Sequence, residues 1–138
     1  MKLFRPIGTG EYYLIKESNY VAFPPRLEWQ PIFYPVLNQA YAEQITNDWN
    51  TNDEFSGYCG LVTVFNLPED YLKQFPVQNV GGKIYEELWV PAEELDNFNR
   101  EIQGKIEVID AFFGERFDQE KHAKLKCYYQ KYYENRVS

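Results

Sequence analysis

The chain has 138 residues and a formal charge of −7, from 14 Lys and Arg against 21 Asp and Glu. That is the length of one domain able to bury a core without disulfide or metal staples, and the acidic balance disfavours a constitutive nucleic-acid binder, whose affinity would come largely from cations on phosphates. With 44% hydrophobic residues and 18% aromatic ones, an ordered domain with large amphipathic surfaces is expected rather than a disordered chain.

Leu3-Phe4-Arg5 reads as a short first strand stopped by Pro6 and Gly8. Thr9 can cap a helix through about Ser18, with Tyr12 and Ile15 inward. Tyr20 to Phe23 is strand-like, and Pro24-Pro25-Arg26 must leave it as an extended loop. Ile32 to Tyr34 is another short strand. Asn38 is an N-cap for a helix whose Tyr41, Ile45 and Trp49 recur every four residues, which aligns them on one face against the core.

Gly57 to Phe65 is rich in β-branched and aromatic residues and reads as a strand. Asn66-Leu67-Pro68-Glu69-Asp70 carries the capping and acidic first-turn signals of a short helix with Leu72 and Phe75 inward. Gly81-Gly82 separates Val77–Val80 from Lys83–Val90 as a hairpin turn would. Pro91 can start a helix over Ala92–Asn99 with Leu95 and Phe98 inward, and Gly104 precedes a last strand, Lys105–Ile109. From Ala111 onward Lys, Glu, Gln and Tyr dominate, with Lys121, Lys124, Lys126 and Lys131 interleaved with Tyr128, Tyr129, Tyr132 and Tyr133. This reads as a terminal helix packed on the domain through Leu125 and Tyr129. Helices and strands do not alternate regularly, so the expected class is α+β with short split sheets.

Several chemistries lack material. Cys59 and Cys127 form no CxxC pair and His122 is the only histidine, so neither a metal site nor a disulfide framework is expected. A nucleophilic triad would have to use His122, which lies in a charged segment and reads as a solvated surface residue. Gly8-Thr9-Gly10 and Gly81-Gly82 lack the spacing of a phosphate-binding glycine fingerprint and read as turns. Residues Met1 to Gly8 contain no apolar signal core, and no apolar run approaches the ~18 residues of a membrane span. A cytoplasmic protein without a membrane partner is the expectation.

What remains is a set of charged residues embedded in strands. In Tyr85-Glu86-Glu87-Leu88-Trp89-Val90-Pro91 the side chains alternate, so Glu86 shares a face with Leu88 and Val90, while Glu87 lies between Tyr85 and Trp89. A carboxylate beside such apolar surface requires a partner or a purpose; an edge-strand charge, or an ion pair with Arg5 or Arg26, is the structural alternative. Arg5 follows two apolar residues, and Arg26 is held by the stiff Pro24-Pro25 pair. Either guanidinium can fork onto phosphate or carboxylate.

Taken in order, the blocks Phe4-Arg5-Pro6, Ala22-Phe23-Pro24-Pro25-Arg26, Pro31–Asn38, Asp48-Trp49-Asn50 and Glu87–Leu95 resemble short bacterial proteins that carry an ADP-ribosylation/crystallin label. Through them the chain resembles the mono-ADP-ribosyltransferase superfamily. That resemblance rests on Arg5 in a first strand, on Phe33–Asn38 leading into a helix with Ala40 and Ala42, and on Glu87 followed by three apolar residues and a Pro. Tyr34-Pro35-Val36 stands where the arginine-type enzymes carry Ser-Thr-Ser, and Tyr85 where they carry Glu or Gln.

The resemblance implies an ADP-ribosyltransferase-like domain over residues 1–110, with 111–138 as a helical extension packed on it. It further implies NAD as substrate, cleaved at the nicotinamide–ribose bond. Glu87 and Arg5 would be catalytic, and Arg5, Arg26, Tyr34 and Trp89 would bind NAD. The acceptor, a protein or only water, stays open. So do a non-catalytic immunity or regulatory module that binds a protein partner and, third, a single-strand reader built on the Lys/Tyr tail.

Overall fold

The computed structural model describes residues 1–137. The chain runs β1 (Lys2–Ile7), α1 (Thr9–Glu17), β2 (Ile32–Phe33), α2 (Gln39–Asp48), β3 (Cys59–Asn66), α3 (Glu69–Leu72), β4 (Val77–Asn79), β5 (Glu86–Leu88), β6 (Val90–Pro91), α4 (Leu95–Glu101) and β7 (Gln103–Phe113). Mixed helix and strand in this irregular order make it an α+β protein. Its main sheet is antiparallel with order β1-β3-β7, and two ribbons, β2-β6 and β4-β5, lie beside it. Among the described residues no helix is long and apolar enough to cross a membrane.

The sheets are joined at Val36, which bridges Phe4 of β1 on one side and Glu87 of β5 on the other. Phe4 and Val36 exchange both backbone hydrogen bonds, at 2.9 and 2.8 Å. The pairing goes no further, and Pro6 supplies the reason. In a strand, residues two apart direct their backbone groups to the same side, so Pro6 follows Phe4 toward that edge but has no N–H to donate. The first strand was expected to stop at Pro6. Instead β1 continues to Ile7, because a proline on an outer edge interrupts only the neighbour's ladder and leaves the β3 pairing intact. Beyond the Phe4–Val36 bridge the two segments part.

The core is built on phenylalanines from separate elements. Phe23, Phe33, Phe65 and Phe98 are all 2% exposed or less, with ring centroids 4.8 Å apart for Phe23–Phe65 and 5.3 Å for Phe33–Phe98, near edge-on. Leu72, Phe75 and Leu95 are buried as their spacing predicted. The hairpin about Gly81-Gly82 pairs Val77–Asn79 with Glu86–Leu88.

Three segments differ from expectation. Tyr20–Phe23 is not a strand, since Asn19 and Tyr20 both have positive φ; the Asn99 side chain instead takes the place of a partner strand, accepting from Phe23 N–H at 2.9 Å and donating to its carbonyl at 3.0 Å. β7 absorbs Gly104 at φ 73° and continues through Phe113, so residues 111–113 belong to the main sheet. Helical structure at the C-terminal end begins only at Ala123 and changes type: a 3-10 turn over Ala123–Leu125, an α turn over Lys126–Tyr128, a π turn over Tyr129–Glu134 and a final α turn over Asn135–Val137. It packs on the domain, with Leu125 fully buried.

Candidate functional site

Where β1 and the β2 segment part, a cleft of about 830 Å3 opens, lined by residues from β1, the start of α1, the Pro24–Gln30 loop, α2, the turn after it, and the β5–β6 segment. This is within the ~300–1,000 Å3 usual for small-molecule sites. Arg5, Arg26, Tyr34, Glu87 and Trp89, the five residues singled out in the sequence, all line it. They arrive from three chain segments with no local reason to meet.

Glu87 is half-buried, and its carboxylate is oriented from two directions. Tyr41 Oη donates to Oε2 at 3.0 Å, and the Trp89 indole N–H donates to Oε1 at 2.7 Å. Burial, then the hydrogen bond and charge of Glu87, push the Tyr41 phenol up to about 12, so it remains a donor throughout the physiological range. Each Glu87 oxygen retains a further lone pair. Trp89 is thereby fixed in place, and its ring meets that of Tyr34 edge-on at 6.3 Å.

Arg5 is 8% exposed and makes no bond to Glu87. Its Nε and Nη2 donate to the two oxygens of Glu11 at 2.7 and 2.9 Å, a bidentate fork, while its plane lies 4.5 Å from the Phe33 ring centre. Nη1 has only a 3.5 Å approach to the Tyr34 carbonyl. Arg26 is less committed. Its Nε donates to the Ile32 carbonyl at 3.0 Å, and its two terminal nitrogens have no protein partner among the described residues. Burial, and next the charge of Arg5, push this guanidinium below the usual arginine range, yet it stays protonated. An anion entering the cleft therefore finds its freest cation at Arg26.

Sequence reasoning missed Glu11 and the whole wall after α2. Glu11 had a signal: a strand, one tight turn at Gly8 and a helix return the chain over its own start. A Cβ on Gly8 would lie 2.7 Å from Ser56 Cα, so only glycine permits the approach by which Thr9 N–H donates to the Ser56 carbonyl at 3.0 Å. The face of α2 is a correction. Asn38 caps the helix as expected, accepting from Ala40 N–H at 2.8 Å, and Tyr41 and Ile45 are half-buried against Val36, Ala42 and Val62, but Trp49 is largely exposed. Ala42 and Thr46 are the buried pair, because Gly60 lets the sheet approach so closely that only small side chains fit beneath. Ile45 and Trp49 also line the cleft.

His122 is also corrected: it is half-buried rather than free on the surface, stacked between Tyr13 and Phe117 at 6.0 and 5.6 Å between ring centres. Its Nδ1 lies 2.7 Å from Tyr13 Oη, and it does not line the cleft. Among the described residues, no three His, Cys, Asp or Glu side chains gather as metal ligands. In comparisons with protein-family models, curated proteins and solved structures, nothing matches the chain.

Proposed function

We propose that the protein binds NAD in this cleft and cleaves the nicotinamide–ribose bond in the manner of an ADP-ribosyltransferase. The observation that supports the reading is the convergence of Arg26, Tyr34, Glu87 and Trp89, with Arg5 behind them, on one cavity of dinucleotide dimensions. Departure of nicotinamide leaves with the bonding pair on its ring nitrogen, and positive charge develops on the ribosyl ring, as in glycoside cleavage. Glu87, already held by Tyr41 and Trp89, has lone pairs left for ribose hydroxyls and stabilises that charge more in the transition state than in the ground state. Arg26 takes a phosphate, while Arg5 fixes Glu11 and the wall beneath. Attack at the anomeric carbon by water or an acceptor, with loss of its proton, completes the step.

The test is calorimetric titration with NAD together with an assay of released nicotinamide. Wild type should bind NAD and release nicotinamide, and Glu87→Gln should still bind but release it at least about 100-fold more slowly. Absence of NAD binding, or release undiminished in Glu87→Gln, would overturn the reading.

A further inference from the structure

The C-terminal end of α2 and the turn that follows it present two large rings to solvent. Trp49 is 63% exposed and Phe55 78%, while Ala42 and Thr46 of the same helix are fully buried. At its C-terminal end the helix thus covers Thr46 and displays Trp49. Leaving either ring in water forgoes the burial of a large apolar surface, and folding alone supplies no reason for it. Both rings line the cleft. Trp49 caps the C-terminal end of α2, whereas Tyr41, which holds Glu87, lies in its first turn.

The polar groups around the rings specify what would cover them. Asn50, 7% exposed and part of the cleft lining, gives its amide N–H to Ser56 Oγ at 3.1 Å, but its Oδ1 is buried with no partner among the described residues. Asp53 Oδ2 accepts from the backbone N–H and hydroxyl of Ser56, at 3.1 and 2.6 Å; Oδ1 is left over. Asp48 and Glu54 add exposed carboxylates. The accessible polar groups beside the rings are chiefly the carboxylates of Asp48, Asp53 and Glu54, which suit a complement that brings donors. Charge agrees: Asp48, Asp53 and Glu54 flank Trp49 and Phe55 in the chain, and no Lys or Arg lies between Arg26 and Lys73. Aromatic faces beside carboxylates attract cationic side chains. The rings stand too far into solvent to enclose a small ion, whereas a chain segment lying across both would cover them.

We propose that the wall formed by Trp49, Asn50, Asp53 and Phe55 docks a Lys- or Arg-bearing segment of a partner polypeptide. This does not depend on NAD cleavage at Glu87. The probe is a peptide of alternating Gly and Arg, titrated into the full chain at near-physiological salt and followed by calorimetry and indole emission, with Gly-Gln and Gly-Glu peptides and oligo-dT alongside. Saturable binding is expected for the Arg peptide only, weakened about tenfold or more by Trp49→Ala and by Phe55→Ala, neither of which alters charge. Binding should be unchanged in Glu69→Gln/Asp70→Asn, which removes two carboxylates away from the wall. Arg-peptide binding that is absent, indifferent to both ring variants, or lost equally in Glu69→Gln/Asp70→Asn would overturn the proposal. So would ring-dependent binding of the Glu peptide or of oligo-dT.

Discussion

Two parts of the molecule are rich in aromatic rings and treat them in opposite ways. At the C-terminal end, Tyr129 lies 5.1 Å from Phe113, 5.7 Å from Phe117 and 4.8 Å from Tyr133 between ring centres, and Tyr128 meets Tyr12 edge-on at 5.6 Å. Arg136 fastens the segment by donating to the Ala111 carbonyl at 2.8 Å and pairing with Asp110. There the rings form a second layer of core. In the cleft, Trp49 and Phe55 stand largely in solvent on a rigid scaffold. Side-chain chemistry is much the same in both; what differs is whether the backbone beneath leaves room for a large ring.

The comparison is broken or sharpened by measuring stability. The largest effect is expected from Leu125→Ala, which empties a fully buried position beneath the tyrosine layer and should cost about 2–5 kcal/mol in chemical unfolding. A neutral result would mean that the C-terminal layer is ornamental. Trp49→Ala and Phe55→Ala should each change unfolding free energy by no more than about 0.5 kcal/mol, since their rings are mostly solvated. A loss of several kcal/mol would place them in the core after all.

The smallest effect is one of pH. Burial, and next the charge of Lys121, lower the His122 pKa in the folded protein, with Asp118 opposing. The folded state then binds fewer protons than the unfolded state at and below the ordinary histidine pKa of ~6.5. Stability from this group is complete above that pH and declines as pH falls through it toward the lower folded value. A series of denaturation midpoints from pH 8 to 5 should show the decline in wild type and lack this component in His122→Gln.

Much of the fold was legible because local chemistry dictated it. Asn38 announced its helix, Gly81-Gly82 its hairpin, and Leu95 and Phe98 their inward face. Glu87 and Arg26 were legible as candidates because a charge in an apolar strand and a guanidinium after two prolines are locally unusual. The failures share a physical origin in contacts distant along the chain. Tyr20–Phe23 has strand composition, yet an amide 76 residues away satisfies Phe23. The four-residue repeat identified a helix face of which Tyr41 and Ile45 pack partly inward, but the fully buried positions are Ala42 and Thr46, where Gly60 brings the sheet close to Thr46, and Trp49 is left in solvent. His122 looked solvated because its neighbours in sequence are charged, whereas its neighbours in space are Tyr13 and Phe117.

Pro6 gives the cleft a further property. At the rim of the opening β1 lacks one main-chain donor, so a continuous ladder cannot form there whatever side chains line the margins. Side chains along its margins can therefore be exchanged without the gap zipping shut, so the same skeleton can accept new occupants through changes to its lining alone.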